Sequence, residues 1–283
     1  MDDRTVFTSR QEIEIAISAA RQLGMRIGFV PTMGALHEGH LALVQRAMQE
    51  CEFVILSIFV NPSQFNNSKD LEHYPRMLDK DMNKLKDFRN LIVFAPTVDE
   101  VYPPNDQFPG VYLEGLDTVL EGEFRPGHFH GVVHVVFNLF QIVNPDFAYF
   151  GLKDFQQVAI IQHMVRLLKL KIVIVPCPTL REKSGLAMSS RNLRLSDEEK
   201  VDALIIFKTL KLMIEKANHL SPKEVSEDAK VFFNSSKLKL EYLEIVDPQS
   251  LQKLTNNWVN GAVCCIAAFC GDVRLIDNMT VKS

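Results

Sequence analysis

The sequence predicts an α/β fold, in which a Rossmann-like parallel sheet domain is followed by a smaller α+β domain. In the first 180 residues, short apolar runs alternate with segments of helical periodicity. Apolar strands separated by helices are typical of a parallel sheet that is covered on both faces. Beyond residue 180, two helical segments are followed by runs typical of mostly antiparallel strands. We therefore expect domains at 1–180 and 181–283.

The first domain contains five helix–strand pairs in chain order. The predicted helices are 10–24, 39–51, 76–88, 131–143 and 155–168, and the predicted strands are 26–30, 53–60, 91–95, 147–150 and 171–176. Open parallel sheets bind ligands at the carboxyl ends of their strands, near the point where strand order reverses. Polar residues that directly follow these strands are therefore the first candidates for function.

The second domain begins with two helices whose starts are marked by serines. Ser196, followed three residues later by Glu199, predicts a capping box for helix 197–218, and Ser221 predicts the cap of helix 222–234. Three strands follow, at 238–246, 262–269 and 273–276.

Composition excludes several classes of protein. The 283 residues are 47% hydrophobic and 23% charged, with a net charge of −4, so no excess positive charge indicates nucleic acid or an anionic membrane as a partner. No apolar run is long enough to span a bilayer, and no signal-peptide core follows the N-terminus. The five cysteines match no zinc spacing, and Cys264 and Cys265 are expected to be small core residues. We expect a cytoplasmic enzyme.

The segment PTMGALHEGH at residues 31–40 joins a strand to a helix. His37, Gly39 and His40 are thereby placed at a helix N-terminus, where backbone N–H groups and the helix dipole favour an anion. Gly34 and Gly39 suit the close approach of the backbone to a phosphate. The segment resembles the H-x-G-H signature of nucleotide-activating α/β enzymes, which makes ATP the first candidate ligand. A zinc site is disfavoured, because the histidines are three apart rather than four. A purely structural role for the pair stays open.

Two further loops follow predicted strands. Asn61 and Gln64 follow strand 53–60; Gln64 suits a small polar ligand, and Asn61 is as well explained as a turn cap. After strand 147–150, Lys153 is placed to neutralise phosphate and Gln157 to face the same cleft, whereas Asp154 is equally explained as an N-cap.

A fourth segment, GLAMSSRN at 185–192, combines two hydroxyls with Arg191 near the predicted domain boundary. In position and chemistry it resembles the mobile phosphate-binding K-M-S-K-S loop of class I aminoacyl-tRNA synthetases. Arg125 and His128 are candidates for the same cleft, although lone residues of this kind are more often structural. Asp79 and Asp81 are candidates to help hold Mg²⁺, but a solvated helix face is the favoured interpretation.

Taken in order, these segments resemble the pantothenate synthetase (pantoate–β-alanine ligase) family. The matching blocks are PTMGALHEGH, SIFVNPSQF, YPR, LEGEFRPGHFHGV, FGLKDFQQ, GLAMSSRN and RLIDN. The resemblance implies a homodimeric member of the H-x-G-H nucleotidyltransferase superfamily. It further implies a reaction in two steps. ATP, with Mg²⁺, first activates (R)-pantoate as pantoyl adenylate, and pyrophosphate leaves. β-Alanine then converts the adenylate to pantothenate, with release of AMP.

The resemblance also assigns site residues. It implies that ATP is bound by Met33, Gly34, Ala35, Leu36, His37, Glu38, Gly39, His40, Gly151, Leu152, Lys153, Asp154, Leu180, Met188, Ser189, Ser190 and Arg191. His40 is the implied proton donor, and we assign the phosphate charge to His40, His37, Lys153 and Arg191, with Ser189 and Ser190 as neutral donors. Gln64 and Gln157 are implied to hold pantoate, and no protein metal ligand is assigned.

Two positions depart from the family pattern. Leu152 stands where the family usually has glutamate. The absence of that carboxylate weakens ATP binding only if the carboxylate orients Lys153. Lys80 replaces an acidic residue beside Asp81 and speaks against a protein-held Mg²⁺ there. Three other functions remain open at this point: transfer of AMP or CMP to a phosphorylated acceptor, a tRNA synthetase fragment, and a nucleotide sensor without turnover.

Overall fold

The computed structural model describes residues 6–65, 71–72 and 74–281. Within them, the strands are β1 (Val6–Phe7), β2 (Ile27–Thr32), β3 (Phe53–Ile58), β4 (Leu91–Phe94), β5 (Phe147–Gly151), β6 (Val173–Cys177), β7 (Lys239–Val246), β8 (Val263–Cys270) and β9 (Val273–Thr280). The α-helices are α1 (Arg10–Gln22), α2 (Glu38–Glu50), α3 (Leu78–Lys84), α4 (Val98–Val101), α5 (Glu121–Phe124), α6 (His128–Val143), α7 (Phe155–Leu167), α8 (Asp197–Lys216) and α9 (Pro222–Phe233).

Strands β1 to β6 form one parallel sheet in the order β1-β4-β3-β2-β5-β6. The chain builds outward from β2 through β3 to β4, then crosses to β5 on the other side of β2. Strand order therefore reverses between β2 and β5, which is where such sheets bind ligands. The predicted Rossmann-like sheet is confirmed, and both strands at the reversal lead into loops singled out in the sequence.

The second sheet is antiparallel, in the order β7-β8-β9. Helices α8 and α9 pack against it around a separate apolar core. The predicted capping box at Ser196 is confirmed, and the predicted cap at Ser221 also forms a capping box, with Glu224. The smaller α+β unit is thereby confirmed, whereas the exact boundary near Leu180 stays a prediction.

A few elements differ from the prediction. Helix α3 ends at Lys84 rather than at 88, because the chain must turn before β4; Asn90 makes that turn in the left-handed region, with φ of +63°. Strand β9 runs to Thr280, four residues further than predicted. The short elements β1, α4 and α5 were not predicted, because two to four residues give no readable period.

All five cysteines are free and buried, which confirms the expectation for Cys264 and Cys265. Across the described parts of the chain, no helix is long and apolar enough to cross a membrane.

Candidate active site

The loop between β2 and α2 is held in place by a buried carboxylate. Asp81 on α3 is 1% exposed, and its two oxygens accept hydrogen bonds from the backbone N–H of Ala35 (2.9 Å) and of Leu36 (2.7 Å). Burial raises the pKa of Asp81, an effect that these two hydrogen bonds oppose. The favoured interpretation of Asp81 as part of a solvated helix face is therefore wrong: only its neighbour Asp79 is exposed. Sequence periodicity missed this because the partners lie 46 and 45 residues upstream.

Two glycines in this loop are explained by packing within the protein. Gly34 has a φ of +80°, and a Cβ there would lie 3.0 Å from the Asp81 carboxylate. A Cβ on Gly39 would lie 2.8 Å from the ring of His37. The close approach of a phosphate, expected from the sequence, is not required to explain either glycine. The clash with the His37 ring and the strained φ are sufficient reasons in this structure.

His37 and His40 form a pair at the N-terminus of α2. Nδ1 of His37 accepts from the N–H of Gly39 (3.1 Å), and Nδ1 of His40 accepts from the N–H of His37 (3.3 Å). Because each Nδ1 is an acceptor, the proton of each neutral ring lies on Nε2. The ring centroids are 4.1 Å apart. The pair therefore offers two neutral Nε2–H donors at a helix N-terminus, and the engaged Nδ1 atoms argue against zinc ligation.

Burial keeps both imidazoles neutral at pH 7. It lowers the pKa of His37 to about 4, with help from the positive charge of Lys153. It lowers the pKa of His40 to about 3, with help from His37 and Lys153. An anion entering the site would oppose these effects, since it favours the charged form.

Gln64 is oriented by a hydrogen-bonded chain after β3. Tyr102 donates to Oδ1 of Asn61 (2.7 Å), and Nδ2 of Asn61 donates to Oε1 of Gln64 (3.2 Å). Oδ1 of Asn61 also accepts from the N–H of Ser63, so the turn-capping alternative for Asn61 is confirmed. Nε2 of Gln64 donates one hydrogen bond to Sδ of Met33 (3.0 Å), which leaves its second N–H. Gln64 is therefore set to donate to a ligand.

His128 begins helix α6, and Arg125 precedes it. Both residues line the cavity into which the loops after β2 and β3 open. Nδ1 of the buried His128 lies 2.7 Å from the backbone carbonyl of Gln64, so this ring carries its proton on Nδ1. Burial, with Arg125 nearby, lowers the pKa of His128 to about 4. His128 thus holds the backbone of Gln64, while the side chain of Gln64 is held by Asn61.

The turn after β5 presents Lys153. Its ammonium lies 3.5 Å from the carboxylate of Asp154, and its side chain is 15% exposed. Asp154 occupies the N-cap position of α7, but its carboxylate makes no capping hydrogen bond and extends toward Lys153 instead. Leu152 packs against the main apolar core, and its carbonyl and that of Lys153 accept from Nδ2 of Asn278 on β9.

A hairpin carries the last segment to the site. Leu180 and Met188 are paired by a backbone hydrogen bond of 3.0 Å, which places Leu180 beside the start of the Ser189–Arg191 stretch. Oγ of Ser189 accepts from the N–H of Arg191 (3.2 Å), and Ser190 hydrogen-bonds with the hydroxyl of Tyr74. Tyr74 belongs to the YPR block, for which the sequence alone suggested no role.

These loops surround one cavity at the carboxyl ends of β2, β3, β5 and β6. Of the predicted site residues, it is lined by Met33, His37, Gly39, His40, Gln64, Gly151, Lys153, Asp154, Gln157, Leu180, Met188, Ser189, Ser190 and Arg191. Gly34, Ala35, Leu36, Glu38 and Leu152 lie outside its lining. Ala35 and Leu36 are buried, with their N–H groups committed to Asp81, and Glu38 faces solvent.

The cavity contains no ready-made metal centre. Among residues 6–65, 71–72 and 74–281, no three side chains of His, Cys, Asp or Glu are grouped so as to hold a metal ion. The Asp81 oxygens are already occupied by backbone donors. The polar groups that line the cavity are mostly donors, which suits an anionic ligand.

Comparison with known proteins gives one consistent answer. Residues 5–280 match the family model described as pantoate-beta-alanine ligase. A pantothenate synthetase of Bacteroides thetaiotaomicron is 48% identical over 275 residues, 96% of this chain and 97% of that protein. The crystal structure of pantothenate synthetase from Thermus thermophilus has a TM-score of 0.91 at 40% identity, over 98% of this chain and 99% of that one. The pantoate-beta-alanine ligase of Francisella tularensis, solved with beta-gamma ATP and β-alanine, has a TM-score of 0.82 at 34% identity, over 99% and 98%.

Proposed function

Because the chain belongs to the pantoate-beta-alanine ligase family, we propose that it condenses (R)-pantoate with β-alanine at the expense of ATP. The observation that carries the proposal is the composition of the cavity. Donors suited to phosphate, from the two histidines, Lys153 and the Ser189–Arg191 stretch, line the same space as Gln64 and Gln157. Activation of a carboxylate by ATP needs these two sets of groups side by side.

The first step is attack of the pantoate carboxylate on the α-phosphorus of ATP. The bond to the bridging oxygen of pyrophosphate breaks, and pantoyl adenylate forms. No protein nucleophile is required, so catalysis consists of positioning the reactants and stabilising charge on the phosphate oxygens. We assign that stabilisation to Nε2–H of His37 and His40, the Lys153 ammonium and Arg191, with the hydroxyls of Ser189 and Ser190 as neutral donors.

The second step is attack of the β-alanine amine on the acyl carbon, with departure of AMP and formation of the amide. Gln64 and Gln157 hold pantoate through both steps in this proposal. Orientation of the Gln64 amide by Asn61 supports a donor role toward the pantoate carboxylate or hydroxyl. A site built to hydrogen-bond a hydroxyl discriminates strongly against analogues that lack it.

We expect ATP to bind as its Mg²⁺ complex, held through its phosphates by the protein donors just assigned; when bound, the ion would offset negative charge on the phosphates. The described residues supply no metal cluster that would hold the ion by itself. Assembly as a homodimer and a cytoplasmic location also stay predictions.

The decisive experiment measures pyrophosphate and AMP release from ATP, with pantoate and β-alanine omitted in turn. We expect pyrophosphate with pantoate alone and AMP only when both substrates are present. ATP binding without any pantoate-dependent pyrophosphate would instead favour a nucleotide sensor. A stable product containing the nucleotide would favour an AMP or CMP transferase.

A further inference from the structure

Asn278 lies on the last strand of the second sheet. Its side chain contacts the turn Leu152–Asp154 of the first domain, which we call the lysine turn. Its Nδ2 lies 2.8 Å from the carbonyl oxygen of Leu152 and 2.9 Å from that of Lys153. One amide group thus donates to two consecutive carbonyls of the short 3₁₀ turn Leu152–Asp154. The position of that turn relative to β5 and α7 therefore depends on a residue 125 positions further along the chain.

Asn278 is itself rigidly held. Its N–H donates to Oδ1 of Asp277 (2.8 Å), and its carbonyl accepts from Nη2 of Arg181 (3.2 Å). The buried Asp277 carboxylate receives both Nη groups of Arg181, at 2.6 and 2.9 Å, and Nη1 of Arg181 also donates to the carbonyl of Gly185. Because this pair has two parallel hydrogen bonds, it fixes both the distance between the Arg181 and Asp277 side chains and their relative orientation.

The same two residues of β9 consequently fix two loops. Asp277, through Arg181, holds the base of the hairpin that leads to the Ser189–Arg191 stretch, while Asn278 holds the turn that carries Lys153. Both loops face the cavity. Asp277 and Asn278, which are adjacent on β9, therefore set the distance between the turn that carries Lys153 and the stretch that carries Arg191.

Lys153 needs such support, because its long side chain has several rotatable bonds. Its one hydrogen-bond acceptor described in the structure is Asp154, at 3.5 Å. Where the ammonium lies is decided chiefly by the backbone from which it extends. A small shift of a catalytic group costs rate steeply.

We propose that Asn278 is a positioning residue, which places Lys153 for contact with the phosphates of ATP. The proposal rests on the function proposed above for the cavity. It predicts that removal of the Asn278 amide lowers kcat/KM for ATP about tenfold, as expected when two hydrogen bonds that hold the turn are lost. The KM for β-alanine should change less than about twofold, because the lysine turn is assigned to ATP alone.

The test is a double-mutant cycle of Asn278→Ala with Lys153→Ala, with kcat/KM for ATP as the readout. If Asn278 acts through Lys153, its removal costs about tenfold in the wild-type background and less than about twofold once Lys153 is gone. Asn278→Gln, which retains an amide, should recover part of the loss. Val273→Ala, at a buried apolar position of the same strand, is the matched control: it should lower the unfolding temperature and leave kcat/KM unchanged.

Equal losses in the two backgrounds, or a loss in Val273→Ala as large as that in Asn278→Ala, would overturn the proposal. Calorimetric affinity for a non-hydrolysable ATP analogue supplies a second readout, with the same cycle of variants. If the wild-type protein binds the analogue but releases no pantoate-dependent pyrophosphate, the proposed function fails. The binding cycle then still decides whether Asn278 positions Lys153.

Discussion

Asp81 holds the backbone of Leu36 by a 2.7 Å hydrogen bond, although the two residues are 45 positions apart and on different elements. The second oxygen of the same carboxylate holds Ala35, so two consecutive N–H groups of the loop before His37 are committed to one buried side chain. The conformation of the histidine loop therefore depends on helix α3, which itself contributes nothing to the lining of the cavity.

Replacement Asp81→Asn keeps the shape of the side chain but turns one acceptor into a donor that faces a backbone N–H. We expect a loss of about 1–3 kcal/mol in the free energy of unfolding, the cost of leaving buried polar groups unpaired. The KM for ATP should rise with it. Chemical denaturation and steady-state kinetics measure the two effects. Asp79→Asn, on the exposed face of the same helix, is the control and should change neither; equal effects of the two substitutions would contradict this account.

Replacement His40→Ala removes one of the two Nε2–H donors at the start of α2. Loss of a transition-state donor typically costs about 10²–10³ in kcat, and we expect that range here. His40→Gln restores an N–H donor and should lie between alanine and wild type. Near-wild-type turnover of His40→Ala, with an intact unfolding transition, would refute the assignment of His40 to the phosphate charge.

Replacement Gln157→Ala tests the division of the cavity between the two substrates. The glutamine lines the cavity beside the lysine turn but is assigned to pantoate. We expect the KM for pantoate to rise far more than the KM for ATP, because only one ligand loses a hydrogen bond. Gln156→Ala is no suitable control, since that neighbour is buried and its amide donates to two carbonyls. Equal changes in the two KM values would count against the assignment.

Replacement Leu152→Glu introduces the carboxylate that the family resemblance leads us to expect at this position. Here Leu152 packs against the main apolar core, and the ammonium of Lys153 is close to Asp154. We expect the unfolding temperature to fall, because a carboxylate replaces an apolar contact, and the KM for ATP to stay within about twofold of wild type. A clear gain in ATP affinity would show instead that the missing carboxylate orients Lys153.

Stability should depend on pH through His128. Its pKa falls from 6.5 to about 4 in the folded protein, so between these values the unfolded chain binds a proton that the folded protein does not. The free energy of unfolding should therefore decrease as pH falls from about 6.5 to about 4, by up to about 3 kcal/mol from this group. His37 and His40 act in the same direction.

His128→Asn retains a donor for the carbonyl of Gln64 but has no titrating group. Denaturation at a series of pH values should give a shallower slope for this variant than for wild type. Identical slopes would show that His128 does not contribute to the pH dependence.

Most of the fold follows from patterns within a few residues of each other. Apolar runs and helical periods identify the central strands and the long helices, and the serines before α8 and α9 mark their starts. The place of the site also follows from general rules, because the ligand-binding loops had to meet where β2 and β5 diverge. Local patterns do not reveal very short elements such as β1, because two residues show no period.

The candidate site divides in the same way. Groups that follow a strand, such as Lys153 and Gln64, are found from their place in the sequence. Groups that act through distant partners cannot be found in this way. In the sequence, Asp81 resembles a surface residue of a helix, and Asn278 belongs to the RLIDN block, for which the sequence indicates no role. Their contacts join segments 45 and 125 residues apart, which only the folded chain brings together.

The contact between Asn278 and the lysine turn also bears on the order of events during synthesis. Strands β2 to β6 are all translated before residue 180, so the central sheet can assemble while β9 has yet to be made. Until β9 docks, the carbonyls of residues 152 and 153 lack their shared donor. On the ribosome, the nascent chain should therefore acquire a compact sheet early and a fully ordered lysine turn only after β9 has emerged.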